Sequence, residues 1–496
     1  MSRRKFLGLG AGAVSVFGLG SAAQSTPSSP SFFEPEVRSS AGGFLSTRLR
    51  ASTLSTQVQG QTVVTSVYEG SFPGPTLKVR PGDFLQIELI NDLAEETNLH
   101  LHGLHVTPQR PGDDVLLRIQ PGERFVYQYL IPPNHPGGTY FYHPHFHGKV
   151  SNQVFRGMSG LLIVEGDIDA LPVLAGLPER SLVFQRTAIA NGQVRTLSSQ
   201  GGVGRGNVLV NGASMPTLVI RPGETQRWRL LNATVASLWN IQVQGHPLTL
   251  IARDGNAMNV ATTSNTVGLA TAQRRDVLIQ GGAPGIYTLS FQDTQGPGST
   301  QFQPFASLMV AGAPAESREL PNFLLPFEDL RTLPITRQRT ITFNTIGAFS
   351  SKTFEGHGFM IDNQEFDEHR VDQFANIGDV DEWTVRNVDT IAHPFHIHIN
   401  PFQVTHVNGQ PVESPSYEDT TVVPVGGSIT FRTRYTDFSG TFVYHCHILG
   451  HEDGGMMGVI QVACRPIETL PIGPGFRPTG PGFRPSNPFR LRPSCQ

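Results

Sequence analysis

Four short histidine clusters constrain the fold of this chain more than any other feature of its sequence. They fall in two groups, one ending at residue 145 and the other starting at residue 393. In chain order they are HLHG (His100, His102), HPH (His143, His145), HPFHIH (His393, His396, His398) and HCHILGH (His445, His447, His451). A fold that gives these clusters a common role must bring two distant parts of the chain together.

Strand geometry gives the repeated His-x-His spacing a physical meaning. Side chains two residues apart on a β-strand point to the same face, so each pair presents two imidazoles on one face. Eight such imidazoles, if buried without a metal, would leave many ring nitrogens without hydrogen-bond partners. They exceed the needs of one ion and suit two or three ions with open positions for a small ligand. Imidazole alone leaves zinc, copper, iron and nickel open.

The fourth cluster narrows the choice of metal. Cys446 lies between two histidines, so on a strand its thiol points to the opposite face from both imidazoles. With His393, His451 and Met456 it completes a set of one thiolate, two imidazoles and one thioether. This set is typical of a blue-copper electron-transfer site. The sequence therefore predicts a copper site that is joined to the histidine sites through the backbone of a single strand.

The rest of the sequence predicts an all-β fold. Short apolar or alternating runs, such as QTVVTSVYEG and FLQIELIND, are separated by Pro-Gly turns such as VRPGD, IQPGE and IRPGE. No segment has a long apolar stripe with the period of a helix. A weak repeat, with GMSGLLIVEG ending a first unit and GMMGVIQVAC ending a third, indicates several similar domains.

These signals divide the chain into six segments. We predict a twin-arginine-type signal peptide (1–23), a linker (24–44), a first domain (45–166), a second domain without metal ligands (167–312), a third domain with the thiol site (313–464) and a Pro/Gly-rich tail (465–496). The start SRRKFL, an apolar run and a small-residue cleavage site favour export to the periplasm or beyond by the twin-arginine route. No stretch after the signal is apolar enough for a membrane span.

Composition excludes some partners. The net charge is −3 and only 16% of residues are charged, so we expect no nucleic-acid partner. The three cysteines are too few for a disulfide framework, although Cys464 and Cys495 could pair in an oxidising compartment.

The ordered motifs HxHG, HxH, HPxHxH and HCHxxxHxxxxM resemble those of the multicopper oxidase family, in its three-domain, laccase-like form. The resemblance covers roughly residues 45–464. It implies three cupredoxin-like Greek-key β-sandwich domains and four copper ions, one of type 1, one of type 2 and two of type 3. The versions YHPHFHG and HILGHEDGGMMG are more similar to bacterial laccases and copper-resistance oxidases than to fungal or plant enzymes.

The resemblance also implies a place for every ligand. Type 1 copper would take His393, Cys446 and His451, with Met456 axial; type 2 copper would take His100 and His396; one type 3 copper would take His102, His145 and His447, and the other His143, His398 and His445.

The activity implied by the resemblance is oxidation of a reductant by single electrons, coupled to reduction of dioxygen to water. Phenols, aryl amines and low-valent metal ions all remain possible reductants. A second hypothesis is a metallo-oxidase for Cu(I), Fe(II) or Mn(II) in metal tolerance; the Met-rich insertion of many cuprous oxidases is missing, since the chain has eight Met in all. A third is a non-catalytic copper-binding or cell-envelope scaffold, which would lack ligands. We expect a monomer.

Three carboxylates are candidate carriers of the protons that water formation requires. Glu452 directly follows His451, and Asp113 and Asp114 follow the first histidine pair. A carboxylate beside a buried site is a natural acid–base group. We predict that Glu452 and one of the two aspartates relay protons.

Overall fold

The computed structural model describes residues 31–195, 197, 206–295, 301–346, 358–413 and 416–464. The predicted signal peptide, the first part of the predicted linker and the predicted tail lie outside these residues. The described chain consists mainly of β-strands, which confirms the predicted all-β fold. Its helices are α1 (Val150–Arg156), α2 (Leu449–Asp453) and two 3-10 turns (Ile168–Ala170, Leu330–Thr332). None of the helices in this part of the chain is long and apolar enough to cross a membrane.

The strands follow one another in three groups. The first group is β1 (Val37–Ser39), β2 (Phe44–Val58), β3 (Gln61–Tyr68), β4 (Thr76–Val79), β5 (Phe84–Asp92), β6 (His100–His102), β7 (Arg124–Leu130), β8 (Gly138–His143) and β9 (Gly160–Val164). The second group is β10 (Glu179–Thr187), β11 (Ile189–Ala190), β12 (Gln193–Val194), β13 (Asn207–Val210), β14 (Thr217–Ile220), β15 (Thr225–Asn232), β16 (Leu238–Val243), β17 (Leu248–Arg253), β18 (Asn256–Ser264), β19 (Val267–Ala270), β20 (Arg274–Gln280), β21 (Gly285–Asp293) and β22 (Gln303–Val310). The third group is β23 (Arg337–Ile346), β24 (Gly358–Ile361), β25 (Gln373–Asn376), β26 (Val380–Asn387), β27 (His393–Ile397), β28 (Phe402–Val407), β29 (Gln410–Pro411), β30 (Tyr417–Glu418), β31 (Thr420–Val423), β32 (Ser428–Arg434), β33 (Gly440–Cys446) and β34 (Met457–Ala463).

The strands form three pairs of sheets, and each pair encloses a common apolar core; we call these pairs the first, middle and third units. In the first unit the strand orders are β1-β4-β9-β8-β6 and β11-β12-β3-β2-β5-β7, around residues such as Leu89. In the middle unit they are β13-β10-β15-β20-β17-β18 and β14-β22-β21-β16-β19, around Trp228. In the third unit they are β24-β23-β26-β32-β28-β29, with β30 beside β28, and β25-β34-β33-β27-β31, around Trp383.

Three strands lie where the predicted segments did not place them. Strand β1 falls inside the predicted linker, where it pairs in parallel with β4. Strands β11 and β12 follow residue 167 in the chain, yet β12 joins the first unit through Gln193 and Val64. Strands of two or three residues carry no measurable periodicity, so the sequence gives no signal for them. The exact domain boundaries stay predictions.

Strand pairing sets the histidine clusters side by side. In the first unit β6 and β8 are antiparallel, and His100 lies opposite His143. In the third unit β27 and β33 are antiparallel, and His396 lies opposite His445. The first and third units therefore each have two neighbouring strands whose ends carry imidazoles.

A contact between the two helices holds the first and third units together next to these strands. The carboxylate of Asp453, at the end of α2, accepts hydrogen bonds from the backbone N–H groups of Val150 (3.1 Å) and Ser151 (2.8 Å) at the start of α1. The Ser151 hydroxyl donates a third bond to it (2.6 Å). Because α1 follows the second histidine cluster and α2 contains His451, the last histidine of the fourth, this contact brings the clusters of both units to one interface.

Candidate metal centre

Eight histidines from the four clusters meet in one buried site between the first and third units. Each of them is at most 2% exposed: His100, His102, His143, His145, His396, His398, His445 and His447. Two pairs of rings stack across the interface. The ring centroids of His100 and His398 are 4.0 Å apart, and those of His102 and His396 are 3.8 Å apart. We call this group the eight-histidine site.

Many of these rings use one nitrogen for a protein partner and leave the other without one. The Nδ1 atoms of His100, His143 and His396 lie 2.8, 2.9 and 2.8 Å from oxygens of Asp113, Pro144 and Asp419. Among the eight histidines, the ring nitrogens that are buried without a hydrogen-bond partner in the described residues are His100 Nε2, His102 Nδ1, His143 Nε2, His396 Nε2, His398 Nδ1 and both nitrogens of His447. A buried polar atom without a partner is costly, whereas a metal-binding histidine uses its second nitrogen for such an outer hydrogen bond. The donor set therefore fits metal ions.

Several triplets of ligand atoms are close enough to share an ion. The atoms within each triplet lie within 4.8 Å of one another: His100, His102 and His143; His100, His396 and His398; and His145, His398 and His445. The Nε2 atom of His445 lies 3.2 Å from that of His145 and 3.3 Å from that of His398.

This geometry corrects one part of the predicted ligand set. The family resemblance implied that His143 would lie with His398 and His445, but the structure places His145 beside them. The ring of His143 instead lies beside those of His102 (5.7 Å) and His447 (5.4 Å). Strand β8 ends at His143, so strand alternation no longer determines where the side chain of His145 points.

A second cluster lies on the other face of β33. Its members are Cys446, His393 and His451, all buried, and their ligand atoms also lie within 4.8 Å of one another. The Sγ atom of Cys446 is 3.4 Å from His393 Nδ1 and 3.8 Å from His451 Nδ1. Met456 is fully buried, and its carbonyl accepts a hydrogen bond from the Cys446 N–H (3.1 Å). Axial ligation by the Met456 sulfur stays a prediction.

Burial determines the charge states of the candidate ligands. It lowers the pKa of His143 and His145 to about 3 and that of His445 to about 4, so these imidazoles are neutral near pH 7. A neutral imidazole has a lone pair available for a metal. Burial also raises the pKa of the Cys446 thiol, so its thiolate needs a cation beside it. A bound metal ion supplies that positive charge.

The two candidate aspartates differ in position. Asp113 is buried and accepts hydrogen bonds from His100 Nδ1 (2.8 Å) and from the Leu101 N–H (3.0 Å). Burial raises the pKa of its carboxyl to about 8. Asp114 forms an ion pair with Arg110 near the surface and, among the described contacts, has none with a clustered histidine. The structure thus brings Asp113, and not Asp114, to the site.

Glu452 is the carboxylate nearest to the triplet formed by His145, His398 and His445. It is fully buried, with Oε2 3.1 Å from His445 Nδ1 and Oε1 3.6 Å from His145 Nε2. Neither oxygen has a hydrogen-bond partner among the described residues. Burial raises the pKa of this carboxyl to about 7.

Two acidic residues at the sites were not among the sequence candidates. Asp389 accepts a hydrogen bond from His393 Nε2 (2.9 Å), and Asp419 accepts one from His102 Nε2 (3.0 Å). Asp389 lies four residues before His393, a spacing that could have drawn attention to it. Asp419 lies in a stretch, YEDT, that has no metal-binding pattern.

The three cysteines differ in their bonding state. Cys446 is a free thiol, whereas Cys464 is disulfide-bonded. Cys495 lies outside the described residues, so its pairing with Cys464 stays a prediction.

Comparison with known proteins agrees with the chemistry of these clusters. Three sequence profiles, each described as multicopper oxidase, match residues 50–168, 178–310 and 335–465. A multicopper oxidase of Staphylococcus haemolyticus is 27% identical, with 80% of this chain and 83% of that protein covered. The cell division protein FtsP of Dickeya dadantii is 28% identical, with 78% and 83% covered.

A solved structure shows the same architecture. It is a multicopper oxidase from Campylobacter jejuni, described as a metallo-oxidase, with 27% identity and a TM-score of 0.77. The alignment covers 88% of this chain and 96% of that one. The three units have the cupredoxin fold of such enzymes. The chain therefore belongs to the multicopper oxidase family of oxidoreductases.

Proposed function

We propose that this protein is a laccase-like oxidase, which oxidises small phenols and aryl amines and reduces dioxygen to water. The observation that supports this most is the complete donor set: a thiol cluster and an eight-histidine site share the strand end His445–His447. Copper bound at these sites supplies the one-electron oxidation and the reduction of dioxygen. The chain's own residues orient the ligands, exclude water and hold protons.

The proposal includes four copper ions. One would be held by His393, Cys446 and His451 with Met456, one by His100 and His396, one by His102, His143 and His447, and one by His145, His398 and His445. The sets with His143 and with His145 are chosen because their rings or ligand atoms lie close together.

Residues around the thiol cluster orient its imidazoles and exclude water. The Asp389 carboxylate accepts a hydrogen bond from His393 Nε2, which leaves Nδ1, the nitrogen beside Cys446, free to bind. The Phe359 ring stacks on His451 at 4.3 Å between centroids. Since His393 and His451 are at most 3% exposed, a reductant must deliver its electron from outside this shell.

Two carboxylates are placed to hold protons beside the eight-histidine site. Glu452 presents both oxygens to His445 and His145 at 3.1 and 3.6 Å. The Asp113 carboxylate accepts a hydrogen bond from His100 Nδ1 (2.8 Å). We propose that both relay protons to the site where water forms.

Two other functions are kept as candidates because of specific relatives. The Campylobacter jejuni structure is described as that of a metallo-oxidase, which favours Cu(I), Fe(II) or Mn(II) as the reductant. The FtsP relative is described as a cell division protein, which keeps open the hypothesis of a non-catalytic scaffold. The complete set of buried ligand atoms opposes the second of these.

We also propose a location and a physical state from the sequence. The SRRKFL start supports export by the twin-arginine route to the periplasm or the medium. We propose that the mature protein acts there as a monomer, with dioxygen and small reductants as its partners.

An oxygen electrode distinguishes these functions. Copper-loaded protein is supplied in parallel with a phenol, with Cu(I) and with Fe(II), and the rate of oxygen uptake is measured against reductant concentration. A laccase-like enzyme consumes oxygen with the phenol at a kcat/KM above those for both metal ions. A higher kcat/KM for Cu(I) or Fe(II) would establish the metallo-oxidase instead, and no uptake with any donor would establish a non-catalytic protein.

A further inference from the structure

Arg274 of the middle unit reaches the eight-histidine site although that unit supplies no candidate ligand. Its side chain is fully buried at the start of β20. Its Nη1 and Nη2 atoms donate to Asp419 Oδ1 (2.9 Å) and Oδ2 (2.5 Å) in the third unit. Its Nε donates to the Thr139 carbonyl (3.1 Å) in the first unit, and Nη1 donates to the Ala272 carbonyl (3.0 Å) in its own. One guanidinium thus joins all three units.

Asp419, the partner of Arg274, contacts two histidines of the site. Its Oδ1 accepts a hydrogen bond from His102 Nε2 (3.0 Å), and its carbonyl accepts one from His396 Nδ1 (2.8 Å). These two rings come from different units and stack on each other at 3.8 Å. A single residue is therefore the outer partner of two stacked imidazoles.

Both hydrogen bonds select the tautomer that a metal needs. An acceptor at His102 Nε2 keeps the proton on that nitrogen and leaves the lone pair on Nδ1. An acceptor at His396 Nδ1 leaves the lone pair on Nε2 in the same way. His102 Nδ1 and His396 Nε2 are both buried without a hydrogen-bond partner among the described residues.

The glycine after the first histidine pair supports the same arrangement independently. Gly103 has a φ of +84°, and a Cβ built on it would overlap Arg274 Nη2 and Asp419 Oδ2. The HxHG motif therefore leaves room for this ion pair at the residue that follows His102.

We infer that the Arg274–Asp419 ion pair is a positioning device through which the middle unit fixes the orientation and tautomer of His102 and His396 for copper. The inference rests on the proposed copper occupancy of the eight-histidine site. Arg274 holds both carboxylate oxygens in a buried, two-pronged ion pair, which fixes the carboxylate plane. Lysine offers no such fork, so it cannot reproduce this geometry.

The test compares two variants of the pair with a matched control. Arg274→Gln removes the charge, and Asp419→Asn keeps the shape of the side chain while directing an amide at Arg274. The control is Arg339→Gln, which breaks another buried pair, Arg339 with Asp381, whose side chains are 5% and 0% exposed. The described contacts of Arg339 include no histidine.

Three quantities are measured for each protein. Copper affinity is obtained by competition with a chromophoric chelator, the number of EPR-detectable copper ions by EPR, and the blue band of the Cys446 cluster by absorbance. In both test variants we expect copper at the eight-histidine site to bind about 10- to 100-fold more weakly. More copper should become EPR-detectable as the magnetic coupling within the site is lost. The blue band should remain, and Arg339→Gln should match the unmodified protein in all three measurements.

The outcomes separate the inference from the function on which it rests. If the unmodified protein binds copper only at the Cys446 cluster, the proposed function fails and the inference fails with it. If the unmodified protein fills both sites and Asp419→Asn binds copper equally well, the inference alone is overturned. If Arg274→Gln does not fold, Asp419→Asn decides, because its side chain keeps nearly the same volume.

Discussion

Replacing Cys446 with serine is expected to abolish the blue colour and all oxygen consumption, while copper stays in the eight-histidine site. The thiol lies 3.4 and 3.8 Å from the nitrogens of His393 and His451 and is the only soft anionic donor there among the described residues. A hydroxyl cannot replace a thiolate as a copper ligand, and the intense band at about 600 nm comes from thiolate-to-copper charge transfer. The spectrum, the copper content and the rate with a phenol are measured together.

The matched control for this variant is Cys464→Ser. Cys464 is disulfide-bonded and lies outside both clusters, so its replacement should leave the band and the catalytic rate in place even if stability falls. Substantial oxygen consumption by Cys446→Ser would contradict entry of electrons at the thiol cluster.

The second large effect is expected from Glu452→Gln. The amide keeps the size of the side chain but cannot release a proton, so we expect oxygen reduction to slow by about 100-fold or more. Reduction of the blue site by a phenol without oxygen should keep its rate, because Glu452 faces His445 and His145 rather than the thiol cluster. Stopped-flow absorbance follows the two half-reactions separately.

Asp453→Asn is the matched control, because Asp453 is the neighbouring carboxylate at the end of the same helix. Asp453 holds the start of α1 through Val150 and Ser151, so its loss should lower stability and spare the rate of oxygen reduction. Equal rates of oxygen reduction in Glu452→Gln and the unmodified protein would remove Glu452 from the proton relay.

The sequence predicted best what depends on local geometry. The alternation of side chains along a strand is a property of neighbouring residues, and the structure places Cys446 with His393 and His451, away from His445 and His447. The all-β fold follows from short runs and turns in the same way. Pattern and spacing are enough for such features because no distant contact is needed to produce them.

Features that depend on how the units dock were beyond the sequence. Arg274 and Asp419 lie far apart in the chain and belong to no motif, so only the three-unit packing brings them to His102. The division of His143 and His145 between ligand sets also depends on docking, because each of them is grouped with histidines of the third unit. The choice between Asp113 and Asp114 depended on a loop conformation that neighbouring residues do not determine.

The number of electrons used per dioxygen tests the central claim most directly. Oxygen uptake by the copper-loaded protein is measured against a known amount of a one-electron phenolic donor, and catalase is added at the end to detect peroxide. If a thiol copper site feeds a copper cluster in the eight-histidine site, about four donors are used per dioxygen and catalase releases no oxygen. A ratio of about two, with oxygen released by catalase, would show that peroxide is the product and would contradict the account.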